Sequence, residues 1–586
     1  MKTKKRKRPV SAAGAQRPQE PRRLEKTFSL KLWHVLAGAA AALIAVFWVY
    51  QPALNGPFVF DDQYLPFYSY NLGRRSIFAA FRGVRPLLMA SFWVNHRFSR
   101  LDPYGYHFLN ILLHFVNSLL VFFILRKLLE WAGTESPRRE ILAGFGASVF
   151  LLHPVETESV AYVASRSESL SVLFFYAAFA LFLYRKSAAV SWRVALGVVL
   201  LFGAAASTKE HTVALPALLL LTDYFWNPGF SLQGIRRNWR LYAPLAIAGA
   251  AGLYFVWRVI RTSASAGFSM RELTWDQYFF TQCRAVWVYL RLYVLPFGQN
   301  VDYAYPISRT IFEGGAIVGL IGLVTLVACA VYFRRRYPLA SYGLLTTLIL
   351  LAPTSSFIPI KDAVAERRLY MPMIGLLLVT VDLLRRWRAS RTLMGAAFAA
   401  VLLIGGVLTY QRSKLWSSEI ALWEDSLAKS PHNARAHLHL AVAYYEQRQC
   451  EVAEKYYESA ARLTRMEYRE LLNWALTKDC LNRPEDALAK LQQAAKLRET
   501  AHVYSQIGMI YAKQHQFDEA FGALNKAIQI NPRFDMSYVY RGNIYALSNN
   551  LAGALAEYRH ALQLNPNNQS ARNNLRKAEA RMRAGQ

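Results

Sequence analysis

Apolar residues fall in long runs as far as Tyr410 and in a helical period of three to four residues after it. The runs are Leu32–Tyr50, Phe108–Leu125, Ile141–Leu152, Leu170–Tyr184, Val194–Ala206, Val213–Phe225, Leu241–Val259, Ile311–Phe333, Leu339–Leu351, Leu369–Leu384 and Leu393–Tyr410. They predict about eleven membrane-crossing helices, the shorter ones drawing on flanking residues to reach the bilayer thickness. A further run, Tyr278–Leu295, carries Arg284 and Arg291. Arginine within a span is costly, so this segment reads as a helix lying in the membrane interface.

The last third repeats. Ala441, Ala475, Gly508 and Gly542 are spaced by 34, 33 and 34 residues, and small residues recur 12 and 19 positions after each (Ala453, Ala487, Ala520, Ala554; Ala460, Ala494, Ala527, Ala561). Small residues at these offsets let two helices of a hairpin pack closely, which is the tetratricopeptide pattern. Units are expected at 433–465, 466–498, 499–532 and 533–566. A connector and partial unit precede them at 411–432, and a polar capping helix follows at 567–586. The expected fold is all-α: a polytopic domain over 32–410 followed by a helical solenoid.

Charge fixes the expected topology. The formal net charge is +31, and a basic tail, residues 1–31, precedes the first apolar run. With that tail in the cytoplasm, alternate loops carry Arg126/Lys127/Arg138/Arg139, Arg185/Lys186/Arg193, Arg236/Arg237/Arg240, Arg334–Arg336 and Arg385/Arg386/Arg388/Arg391. Basic loops on the cytoplasmic side are what insertion selects, so the charge calls for no nucleic acid partner. The repeats then emerge on the opposite side. Of the four cysteines, none form a C-x-x-C pair, and Cys450 and Cys480 are able to pair only in an oxidising compartment.

The remaining loops hold polar residues that topology does not demand. They read "FDDQY", "RPLLMASF", "HPVETESVAYVASRSES", "STKEHT" and "AERRLYMP", with Arg74 and Arg75 between the first two. Arg85, Arg166, Lys209, Arg367 and Arg368 lie near predicted span ends, where converging cations suit the phosphate of a membrane lipid. Asp61 and Asp62 are candidate general bases, although they equally suit solvated acids that cap a helix. His153 reads first as a helix end; Glu156 and Glu158 as solvated groups or partners of Arg166; Lys209 and Glu210 as a surface pair. All four of His153, Glu156, Glu158 and Glu210 are candidate acceptor or sugar contacts. His107 and His114 share one helix face and read as packing groups. A divalent ion between Asp61 and Asp62 is the less favoured arrangement, so no metal ligand is assigned and no cofactor is required.

In this order along the chain, "FVFDDQY", "DPYGYHFLNILLHFVNSLLV", "LLHPVETESVAYVASRSESLS", "STKEHTVALPALLLLTDYF" and "AERRLYMPMIGL", followed by the repeats, resemble the transmembrane and TPR-containing O-mannosyltransferases. That resemblance implies a GT-C type membrane domain. It implies inverting transfer of mannose from a polyprenyl- or dolichyl-phosphate carrier to Ser or Thr hydroxyls of proteins on the extracytoplasmic face. It places the catalytic acid at Asp61 or Asp62 and carrier-phosphate contact at Arg367. The chain departs from the family pattern at Glu156, which stands where a second histidine is expected. Two alternatives stay open: a carrier-dependent transferase acting on a glycan or lipid, and a non-enzymatic TPR scaffold. The host membrane is expected to be a bacterial inner membrane, with the repeats periplasmic, in preference to an endoplasmic reticulum with the repeats lumenal.

Overall fold

The computed structural model describes residues 32–65, 83–262 and 273–584, with 78, 267, 268 and 270 besides. The basic tail 1–31 and Arg74/Arg75 lie outside the described residues. Among the described residues every regular element is helical.

A helix covers each of the eleven apolar runs, from Leu32–Tyr50 through Pro103–Trp131 and Arg166–Leu183 to Arg391–Leu415. Among the described residues five helices are long and apolar enough to cross a membrane by length and composition, and Trp192–Ala206 and Pro338–Leu351 are shorter apolar helices. The molecule is a membrane protein. Tyr278–Leu295 forms the helix Trp275–Val294, whose face bearing Tyr278, Cys283, Ala285, Tyr289 and Leu292 is buried. Its two arginines turn outward, Arg284 to the Ser308 hydroxyl at 2.9 Å and Arg291 to the Phe297 carbonyl at 2.9 Å. Among the described residues the longest helix that was not expected is Pro86–Ser99, with proline at its first position.

Close packing has a visible cause where Pro338–Leu351 meets Met373–Arg386. A Cβ on Gly343 would lie 2.5 Å from the Gly375 carbonyl oxygen, and one on Gly375 would lie 2.4 Å from that of Gly343. Only glycine allows the two backbones this near.

The bundle has two chemically distinct ends. At one, the basic clusters are tied together: Arg138 donates to the carbonyl of Trp387 (2.8 Å), Arg386 to that of Arg336 (3.4 Å), and Arg185 pairs with Asp223 (3.0 Å). At the other lie the loops that carry the candidate site.

After Leu415 the chain passes to the helix Glu419–Lys429 and then to four helix pairs: Ala434–Glu446 with Cys450–Leu463, Tyr468–Cys480 with Pro484–Leu497, Ala501–Lys513 with Phe517–Ile530, and Asp535–Leu547 with Leu551–Leu564. Gln569–Ala584 packs on the last. The small residues that set the period are buried between partners, and a Cβ on Gly508 would lie 2.7 Å from Leu524 Cγ. Cys450 and Cys480 form a disulfide across the first two pairs, with Cα atoms 6.2 Å apart.

Candidate functional site

The stretch Phe60–Tyr64 is one short 3₁₀ turn held by its second acid. Asp62 is fully buried, and its two carboxylate oxygens accept from the backbone N–H groups of Val59 (3.2 Å) and Ala164 (2.7 Å). Burial pushes this carboxyl well above the usual range, against the pull of those N–H groups. Asp61 is exposed. Its backbone N–H donates to the Tyr162 hydroxyl at 2.9 Å, which leaves its carboxylate facing solvent. The two acids are thus a fastener and a free group. With both oxygens of Asp62 committed to backbone, the pair offers no two-carboxylate cage for an ion. Among the described residues no three His, Cys, Asp or Glu side chains gather in that way.

The five candidate cations divide likewise. Arg166 is fully buried, donating to Asn110 (2.9 Å), Asn95 (2.8 Å) and the Tyr106 carbonyl (3.0 Å), with its guanidinium 4.6 Å above the Phe92 ring. Arg368 is also turned inward, donating to the carbonyls of Ala363 (2.9 Å) and Asp362 and to the Tyr278 hydroxyl (3.2 Å). These two hold the protein together and do not share the face that sequence reading gave all five. Arg85, Lys209 and Arg367 do converge, near enough for their charges to oppose one another.

Each of the three is matched by a carboxylate. Arg85 makes two bonds to Glu210, at 2.9 and 2.8 Å. Lys209 pairs with Glu168, and His211 lies 3.4 Å from the same carboxylate. Arg367 pairs with Glu158, whose second oxygen accepts from the Arg367 backbone N–H at 3.0 Å. Burial works against the charge on Arg367, and Glu158, Tyr162 and Asp362 together more than restore it. Burial also holds His211 down at about 4, so it is neutral at physiological pH. The expected pairings are therefore exchanged: Glu158 meets Arg367 and not Arg166, and Glu210 meets Arg85 and not Lys209.

Glu156 departs furthest from expectation. It is neither solvated nor paired; it is fully buried, and among the described residues neither carboxylate oxygen has a hydrogen-bond partner. Burial, then the nearby Glu168, pushes its carboxyl well above the usual range, and this acid stands where the family pattern has histidine. His153 is structural: Nδ1 accepts from the Val155 N–H (3.2 Å) and Nε2 meets the Tyr293 carbonyl (2.9 Å). His107 and His114 are buried packing groups, at 3.1 Å from the Gly56 carbonyl and 2.9 Å from the Tyr370 hydroxyl.

Three residues escaped the sequence reading. Tyr162 accepts the Asp61 N–H at its hydroxyl and lies within electrostatic reach of Arg367. Asp362 stands 3.7 Å from Arg367. Arg435, from the first repeat helix, reaches Asp362 at 2.8 Å and Asp302 at 2.6 Å. Tyr162 and Asp362 sit inside loops already singled out; Arg435 reads in sequence as an ordinary polar position of a repeat.

The tetratricopeptide repeat family matches residues 501–534 and 536–568. Among curated proteins the chain is similar to Protein O-mannosyl-transferase F38B6.6 of Caenorhabditis elegans, 26% identical over 440 residues, covering 71% of this chain and 61% of that protein. It is similar to Protein O-mannosyl-transferase TMTC3 of Mus musculus, 24% identical over 555 residues (83% and 58%), and to TMTC4 of Homo sapiens, 26% over 500 residues (72% and 66%). The resemblance drawn from the loop motifs is thereby borne out. The chain spans about three fifths of the length of the first two relatives, 61% and 58%. Among solved structures it is similar to YrrB, a TPR protein with an unusual peptide-binding site, at 23% identity, 30% of this chain, 87% of that chain and a TM-score of 0.23.

Proposed function

We propose that this protein transfers a sugar, mannose by its similarity to the named relatives, from a polyprenyl-phosphate carrier to Ser or Thr hydroxyls of a polypeptide on the extracytoplasmic face. The observation that carries the reading is the surround of Tyr162: its hydroxyl receives the Asp61 N–H, and Arg367 lies within electrostatic reach. An exposed carboxylate and a cluster of phosphate-suited cations therefore flank one residue at one end of a membrane bundle.

The chemistry is a single displacement. The acceptor hydroxyl oxygen forms a bond to C1 of the sugar as the bond from C1 to the carrier phosphate breaks. The proton passes to the Asp61 carboxylate, and the electron pair leaves with the phosphate oxygen. Arg367, Lys209 and Arg85 meet the charge that grows there. In a single displacement the hydroxyl enters opposite the departing phosphate, so the anomeric centre inverts. Arg367 is the principal phosphate contact by the resemblance of its loop to the O-mannosyltransferases, and it is less exposed than Arg85, at 19% against 37%. The carrier's tail stays in the bilayer, which brings its phosphate to the level of these residues.

The same reading sets the topology: about eleven crossings, basic end in the cytoplasm, site and repeats outside. The Cys450–Cys480 disulfide supports that side, since such bonds persist in oxidising compartments. The repeat groove would present an extended acceptor segment. The test is incubation of purified protein with labelled polyprenyl-phosphate mannose and a library of Ser/Thr peptides. Label on peptide is the expected result. Label confined to lipid or glycan would move the acceptor to the alternative class, and no transfer from any polyprenyl-phosphate sugar would end the reading.

A further inference from the structure

The first repeat helix does not stand apart from the membrane-domain loops. Val59, Phe60, Tyr162, Trp416, Trp423 and Leu440 belong to one buried core that spans both. Phe60 has φ of 55°, a left-handed conformation that residues other than glycine adopt only when their surroundings hold them there. Beside Asp62 and the Tyr162 ring at 6.0 Å, those surroundings come from the repeat side: the Trp423 and His439 rings lie 5.6 Å from the Phe60 ring, and the Arg435 guanidinium lies 5.3 Å above it. Asp61 is the next residue.

Arg435 touches the other half of the site as well. Its Nε donates to Asp302 at 2.6 Å and its Nη2 to Asp362 at 2.8 Å, and Asp362 stands 3.7 Å from Arg367. Lys429 adds a bond to the Gln299 carbonyl at 2.7 Å, in the same loop as Asp302. One guanidinium thus braces the residue before the acid with its face and the neighbour of the phosphate cation with its edge.

We propose that Arg435 is a positioning residue that fixes the acid-bearing turn relative to Arg367, so that the repeat array forms a structural half of the site and is not an appended binding module. The proposal deepens the transfer reading and rests on it for its functional consequence. A planar fork is required, because two carboxylates and a ring are engaged at once; a lysine keeps the charge and loses the geometry. An acid displaced by about 1 Å costs on the order of 10²-fold in rate.

The test uses the full chain in detergent, comparing wild type with Arg435→Gln and Arg435→Lys by hydrogen exchange and by transfer rate. The expected result is exchange about tenfold faster over 57–65 and 362–368 in both variants. Exchange over 501–568 stays as in wild type, and kcat falls about 10- to 100-fold. A purely electrostatic role predicts rescue by lysine, and such rescue would overturn the proposal. If Arg435→Gln loosens 501–568 too, Asp362→Asn probes the brace from its other side and is expected to loosen 57–65. Unchanged exchange over 57–65 in a folded variant overturns the proposal whatever the rate. Faster exchange in a protein whose wild type transfers no sugar would remove the transfer reading and leave the brace standing.

Discussion

Replacing Asp61 by asparagine is expected to lower sugar transfer about 10²- to 10⁴-fold, the span that a general base contributes, with little change in melting temperature. The carboxylate is exposed, and the contact that fixes its residue runs through the backbone N–H to Tyr162. Asparagine preserves that contact and removes only the proton acceptor. Asp62→Asn has a different expected outcome. The buried carboxylate accepts two backbone N–H groups, and an amide turns a donor toward one of them. A buried donor without a partner costs about 1–3 kcal/mol, so this variant melts earlier, and its activity falls with the order of the turn. Transfer rate and thermal melting measured together separate the two roles. A fully active Asp61→Asn protein, or loss of activity in Asp62→Asn without loss of stability, would exchange the assignments.

The second large effect is expected at Arg367. Removing one donor aimed at developing negative charge costs about 10²- to 10³-fold in turnover, and Arg367→Ala should fall in that range. It also leaves Glu158, 2% exposed, as a buried carboxylate without its ion partner, so melting falls as well. Arg367→Lys keeps the charge and loses the planar fork, and recovers only part of the rate. Arg85→Ala removes a more solvated pair with Glu210 and is expected to cost less. The measurement is kcat and the carrier KM for each variant. Equal losses at Arg85 and Arg367, or a loss at neither, would remove Arg367 from its place at the phosphate.

Much of the architecture was legible because it is written in local pattern. Each apolar run became a helix, and the 34-residue spacing of small residues became paired helices, since burial and close approach act on neighbouring turns. The order of polar loops pointed to one end of the bundle, where the structure gathers them. What sequence could not resolve is which of several like residues faces inward. Five cations looked equivalent, yet Arg166 is surrounded by Asn95, Asn110 and the Tyr106 carbonyl, a shell drawn from two other helices. Asp61 and Asp62 were indistinguishable until the fold presented the Ala164 N–H to one of them. Glu156 seemed solvated because its neighbours in sequence are polar; its neighbours in space include Tyr50, Tyr176 and Tyr370. Arg435 was hidden for the opposite reason. A repeat position is interpreted through its own array, and nothing local says that a membrane-domain loop will occupy that end. The Cys450–Cys480 pairing likewise needed adjacent repeats to be stacked before 30 residues of separation became 6.2 Å.

Transfer of this kind requires acid, cations and repeats to face one aqueous compartment while the arginine-rich end faces the other. Membrane-impermeant thiol labelling of single cysteines, placed at Gln63 beside the acids, Lys513 in the repeats and Arg335 at the basic end, tests this in sealed vesicles of known orientation. Positions 63 and 513 labelled from the extracytoplasmic side, with 335 reached only after the vesicles are opened, is the predicted pattern. Positions 63 and 513 reacting from opposite sides would contradict the account.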